Sequence, residues 1–199
     1  MKNYFRSTTL MATACALLLF SACESESIAP DASLNAQDGQ NAHRSKSFNL
    51  NKTYTADISA LNNSGVSGTA TLTLEGDMLT VHLMASGLEP NKLHIQHIHG
   101  FTDNNKNAIC PPMSADTDGD GIVSLTEGLP FYGPILLSLD PAQMAPDGTI
   151  NYTQTFAVTA DMLPLQNNVI VLHGLTVNGT YEVTLPVACG AIKPSNQGR

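Results

Sequence analysis

Residues 68–86 read GTATLTLEGDMLTVHLMAS, and the two-residue alternation on either side of Gly76-Asp77 restricts this chain more than any other feature. In the first run Thr69, Thr71 and Thr73 take one face and Ala70, Leu72 and Leu74 the other. In the second, Leu79, Val81, Leu83 and Ala85 point one way and Thr80 and His82 the other. A period of two is that of a half-buried strand, and Gly-Asp between two such runs predicts a hairpin. Strand-like runs recur in TYTADISAL, KLHIQHIHGF, PILLSL, GTINYTQTF, NNVIVLHGL and TYEVTLPVACG, which makes eight in all. No segment carries a strong amphipathic stripe, and only a helical turn is expected, around ADMLPL. The fold class is therefore all-β: an eight-stranded antiparallel Greek-key sandwich or flattened barrel with one long binding loop.

The N-terminus has the form of an export signal. Lys2 and Arg6 precede the apolar run LMATACALLLF, which is too short for a stable transmembrane helix, and Ser21-Ala22-Cys23 has the form of a bacterial lipobox. Residues 1–22 are then a lipoprotein signal peptide, with Cys23 the lipidated N-terminus; an ordinary signal cleaved nearby is the alternative. Residues 23–47 are polar and small and read as a disordered tether, which leaves 48–199 as one β-sandwich domain. This places the domain outside the cytoplasm, held by a lipid anchor on the periplasmic face or cell surface of a bacterial membrane. Without residues 1–22, seven basic residues remain against 17 acidic, a net charge of −10. Such a balance argues against nucleic acid as a partner and suits cations.

Cysteine usage follows from the same reading. Cys15 leaves with the signal and Cys23 carries lipid, so Cys110 and Cys189 remain. An oxidising compartment allows them one pairing; two buried free thiols are the alternative.

From Thr102 to Gly133 the chain is rich in Pro, Gly, Asn and Asp, and a loop that long inside a compact domain is functional or held by something. Within it, DTDGDGIVSLTE has the register of a twelve-residue calcium loop. Asp116, Asp118 and Asp120 stand at positions one, three and five, with the carbonyl of Ile122 at seven. Ser124 follows at nine and Glu127, able to chelate with both oxygens, at twelve; Gly121 takes the sixth position, where the chain turns sharply. Pro111, Pro112 and Pro130 flank the loop, so no helices are expected beside it. The expectation is a static calcium site that orders the loop rather than a sensor.

The histidines supply a second group. His97 and His99 are two apart on a strand, so both rings leave one face and can meet a metal; the same spacing also occurs on solvated faces. His173, in VIVLHG, can supply a third ligand, while His94 points with Ile98 toward the interior and a hydrogen-bonding role. Met84 and Met113 read as packing residues rather than ligands.

GLEPNKLHIQHIHGF, a cysteine in the following loop, VIVLHG and LPVACGAI together resemble the copper/zinc superoxide dismutase fold. The hairpins leading to GLEP and H-x-H are also similar to extracellular CHRD domains. The first resemblance implies that His97, His99 and His173 are copper ligands and agrees with a Cys110–Cys189 bond. The chain departs from that family in having no histidine between His99 and His173, so the bridging and zinc-binding histidines are missing and no zinc site of that type is expected. Pro186 stands where the family keeps the arginine that draws in its anionic substrate. The sequence thus favours a calcium-stabilised binding or structural domain able to hold copper. A copper-dependent superoxide dismutase or a copper carrier is the competing reading.

Overall fold

The computed structural model describes residues 51–103 and 106–195, so the signal peptide, Cys23 and the tether lie outside the described residues. The alternating runs become a meander: β1 (Asn51–Ala60), β2 (Ser67–Glu75) and β3 (Met78–Ser86), with β2 and β3 joined at the pair Glu75↔Met78. Gly76 holds a φ of +64° at the first of the two turn residues, a conformation that costs a residue with a Cβ. The chain continues through β4 (Leu93–His94), β5 (Gln96–His99), the helix α1 (Leu125–Tyr132), β6 (Ile135–Ser138), β7 (Gln143–Met144), β8 (Thr149–Ala157), β9 (Val169–Val177), β10 (Thr180–Ala191) and β11 (Lys193–Pro194).

Hydrogen bonding runs in the order β6-β5-β9-β10-β1-β2-β3-β8, with β11 added to β1, and β4 and β7 paired separately. Each pair is antiparallel. After β3 the chain crosses to build β5 and β6, then returns to lay β8 beside β3. The eight-strand path is a curled antiparallel sheet, as the sequence predicts, and its two halves meet where β1 and β10 share only Ser59↔Cys189 and Ala60↔Ala188. Between the halves lies the core. Leu72, Leu74, Leu79, Val81 and Leu83 enter it from one half and Ile98, Ile170, Leu172 and Val187 from the other, all fully buried. Burying one such Leu or Ile is worth about 1.5–3 kcal/mol, so inward alternation on both halves dictates the curl.

Two expectations need correction. KLHIQHIHGF is interrupted at Ile95, where its carbonyl accepts from His173 N (2.9 Å); β4 then pairs with β7 while β5 joins the main sheet. The helix-free flank is also wrong, since α1 follows the acidic loop directly. Its signal is the capping box: Ser124 Oγ accepts from Glu127 N, and the Glu127 carboxylate accepts from Ser124 N. Pro130 lies inside the helix, but the helix ends at Tyr132, so the missing N–H affects only a short final stretch. The helical turn expected near ADMLPL is present as 3-10 turns at Ala160–Met162 and Leu165–Asn167.

Candidate metal centre

Register places the histidines. On β5 and β9, His97 pairs with Val171 and His99 with Val169, and directly paired residues share a face. His173 lies two residues beyond Val171, so it shares that face as well. Gln96 and Ile98 alternate to the inner face. Strands that read as continuous apolar runs, such as VIVL, are here buried on both sides: inward by the main core, outward by a second cluster of Ala108, Tyr132, Val169, Val171 and Cys189. Ala108 and Tyr132, between β5 and β6, belong to that outer cover with Phe101 and Cys110 packed against them, and the disulfide Cys110–Cys189 fastens it to β10. Cys189 pairs with Val171, so the bond is anchored two residues along β9 from His173.

The cover leaves His97, His99 and His173 nearly inaccessible, with exposures of 9, 2 and 1 %. Their ligand atoms lie within 4.8 Å of one another. His99 Nδ1 donates to the carbonyl of Gly133 (2.9 Å), and His173 Nδ1 to that of Thr184 (2.8 Å). A carbonyl only accepts, so each ring is held in the tautomer that leaves Nε2 unprotonated. His173 Nε2 lies 3.3 Å from His97 Nδ1, while His99 Nε2 is buried with no hydrogen-bond partner. An orphaned lone pair at such depth costs free energy unless something occupies it. A metal ion fits: imidazole nitrogens converge, and carbonyls behind two of the rings fix their orientation as outer partners do in metal sites.

Electrostatics point the same way. Burial lowers the pKa of His173 to about 3, partly opposed by its bond to Thr184. Burial likewise brings His99 to about 4, against the bond to Gly133. His97 is lowered by burial and raised in part by the nearby Asp140 carboxylate. All three are therefore neutral at pH 7, the form that binds a metal. Tyr132 covers His99, its ring centroid 4.7 Å away, and donates its hydroxyl to Leu125 O across α1 (2.9 Å). Burial pushes that hydroxyl up to about 12. His94 is buried as expected, its Nδ1 3.0 Å from His173 O and its Nε2 3.1 Å from Glu89 O. Pro186 is the cross-strand partner of His173.

The acidic loop forms a second group, with ligand atoms of Asp116, Asp118 and Asp120 within 4.8 Å of one another. Asp116 accepts from Gly119 N and Gly121 N (both 2.8 Å), and Asp120 from Ile122 N (2.7 Å). Glu127 stands apart from that group. Its Oε2 accepts from Ser124 N (2.9 Å) and its Oε1 from Thr117 N (2.7 Å), and these bonds hold its carboxyl at about 2. Glu127 thus closes the loop onto the start of α1, whose far end supplies the Gly133 carbonyl that orients His99. Residues that the sequence did not single out complete this region: Tyr132, the carbonyls of Gly133 and Thr184, and Asn62. Backbone carbonyls leave no trace in a sequence, and Asn62 in LNNSG reads only as a turn residue.

No protein-family model matches the chain, and neither does any curated protein sequence. Among solved structures, the chain is similar to a point-mutant form of Candida albicans superoxide dismutase 5, with 16 % identity and a TM-score of 0.42 over 75 % of this chain and 94 % of that one. It is similar to the Cu(II) form of the same protein at 16 % identity and a TM-score of 0.43, over 75 % of this chain and 96 % of that one.

Proposed function

We propose that this chain is an extracytoplasmic copper-binding protein, lipid-anchored through Cys23, that holds one copper ion at His97, His99 and His173 and orders its long loop with calcium. The observation that carries the copper reading is the buried, unpartnered Nε2 of His99 facing two neutral imidazoles. Three imidazole nitrogens suit copper, which stands highest among the divalent first-row metals in affinity for such a set. Calcium is supported by the spacing of Asp116, Asp118, Asp120, Ser124 and Glu127, with the Ile122 carbonyl between them. The bond between Cys110 and Cys189 suits an oxidising compartment.

Binding or carriage of copper fits the site better than turnover of an anion such as superoxide. Asp140 is the charged neighbour of His97, and Pro186 rather than a cation faces His173. Both features, with a net charge of −10 once residues 1–22 are removed, oppose the approach of an anion. The test is metal analysis of the chain after reconstitution with copper, beside a His97→Ala, His173→Ala double variant and a dismutase assay. One copper per chain, lost in the double variant and without efficient dismutation, is expected. No bound copper, or full binding by the double variant, would overturn the copper reading, and efficient dismutation would replace carriage with catalysis.

A further inference from the structure

Asn62, in the turn between β1 and β2, is 6 % exposed and carries no chemistry of its own, yet its side-chain amide makes three hydrogen bonds to backbone far away in sequence. Its Oδ1 accepts from Val123 N (2.7 Å), and its Nδ2 donates to Val123 O (3.0 Å) and to Pro186 O (2.9 Å). Val123 is buried, and Ser124 beside it is the N-cap of α1, the helix whose C-cap is Gly133. Pro186 lies in the irregular stretch of β10, two residues from Thr184. The carbonyls of Gly133 and Thr184 are the ones that orient His99 and His173. One amide therefore joins both segments that aim the rings.

We propose that Asn62 is a positioning residue of the histidine centre, locking the start of α1 and the bulge of β10 together so that His99 and His173 converge; this rests on reading that centre as a metal site. The backbone supports such a role. Asn62 has a φ of +54°, a left-handed conformation in which Asn is tolerated, and all three partners of its amide lie outside the β1–β2 hairpin. The same turn is also fastened by Ser64, whose Oγ donates to Val187 O (2.6 Å) and accepts from Val66 N (3.1 Å) but hydrogen-bonds to neither Val123 nor Pro186.

That contrast supplies the control. Asn62→Gly keeps the left-handed backbone without strain and removes all three bonds. Asn62→Asp keeps the acceptor for Val123 N and loses both donors. Ser64→Ala loosens the same turn without breaking the bridge. On the full chain, ring ¹⁵N shifts of His99 and His173 are read without metal, and Cu(II) affinity and the EPR hyperfine splitting with it. Both Asn62 variants are expected to shift the ring signals, alter the splitting and weaken copper binding roughly tenfold. Ser64→Ala should lower the melting temperature and change none of these. Unchanged ring signals in the Asn62 variants, or equal changes in Ser64→Ala, would overturn the proposal. If the unsubstituted chain bound no copper, the metal reading would fall, while the ring signals would still decide the role of Asn62.

Discussion

Replacing Cys110 and Cys189 together by Ala removes the cross-link that fastens the outer cover to β10. The bond spans 79 residues. The chain-entropy relation for a loop of that length gives about 15 cal/mol/K, or about 4.5 kcal/mol at 25 °C. Cys189 is almost fully buried beside Val171, so Ala rather than Ser avoids stranding a hydroxyl there. For a domain of this size each kcal/mol moves the midpoint by about 2–4 °C, so the melting temperature should fall by about 9–18 °C. Urea unfolding of the oxidised chain and the double variant is the assay. The midpoint should drop and the slope m should rise, because an unfolded chain free of the cross-link exposes more surface. A stability loss under about 1 kcal/mol with an unchanged slope would refute the reasoning that the bond acts on the unfolded state.

Acid should weaken the fold through the histidines. His99 and His173 titrate at about 4 and about 3 when folded, below the ordinary value of 6.5, so the unfolded chain binds protons that the folded chain does not. Their contribution is complete above pH 6.5 and is lost as pH falls through 4 toward 3; a His99→Gln variant should show a shallower loss of urea midpoint, and identical profiles would contradict the assignment. Gly128→Ala should destabilise, since the added Cβ would collide with the fully buried Tyr132 ring. Overpacking of that kind costs about 1–3 kcal/mol, more than the gain of roughly 1 kcal/mol from replacing a helical Gly. A raised melting temperature would show that the ring moves freely. Asp118→Ala should abolish the calcium-dependent rise in melting temperature, which at a hundredfold excess over Kd corresponds to about 2.7 kcal/mol; equal rises in both proteins would remove calcium from the account.

The curled sheet is legible in the sequence because alternation is a local property that the core enforces residue by residue. Leu72, Leu74, Leu79, Val81 and Leu83 are all fully buried where the alternation puts them. The histidine group is legible for the same reason: His97 and His99 share a face by strand period, and His173 joins them through the register of β5 and β9. What the sequence conceals is the covering layer. Ser124 and Glu127 do form the S-x-x-E capping signal, but they also serve as positions of a calcium pattern, and Pro130 argues against a helix that the capping box nevertheless starts. The break at Ile95 is equally silent, because an apolar residue inside an alternating run gives no warning of an irregularity. The contacts that orient the rings are made by carbonyls of Gly133 and Thr184, and these depend on tertiary placement alone.

The central claim is that three neutral imidazoles at the bottom of this cover hold one copper ion. EPR of the chain loaded with Cu(II) tests it most directly, because nitrogen superhyperfine structure reports the coordinating rings. One Cu(II) per chain with nitrogen couplings that diminish in His99→Ala is the predicted result. A chain that takes up no copper, or a spectrum that His99→Ala leaves unchanged, would contradict it.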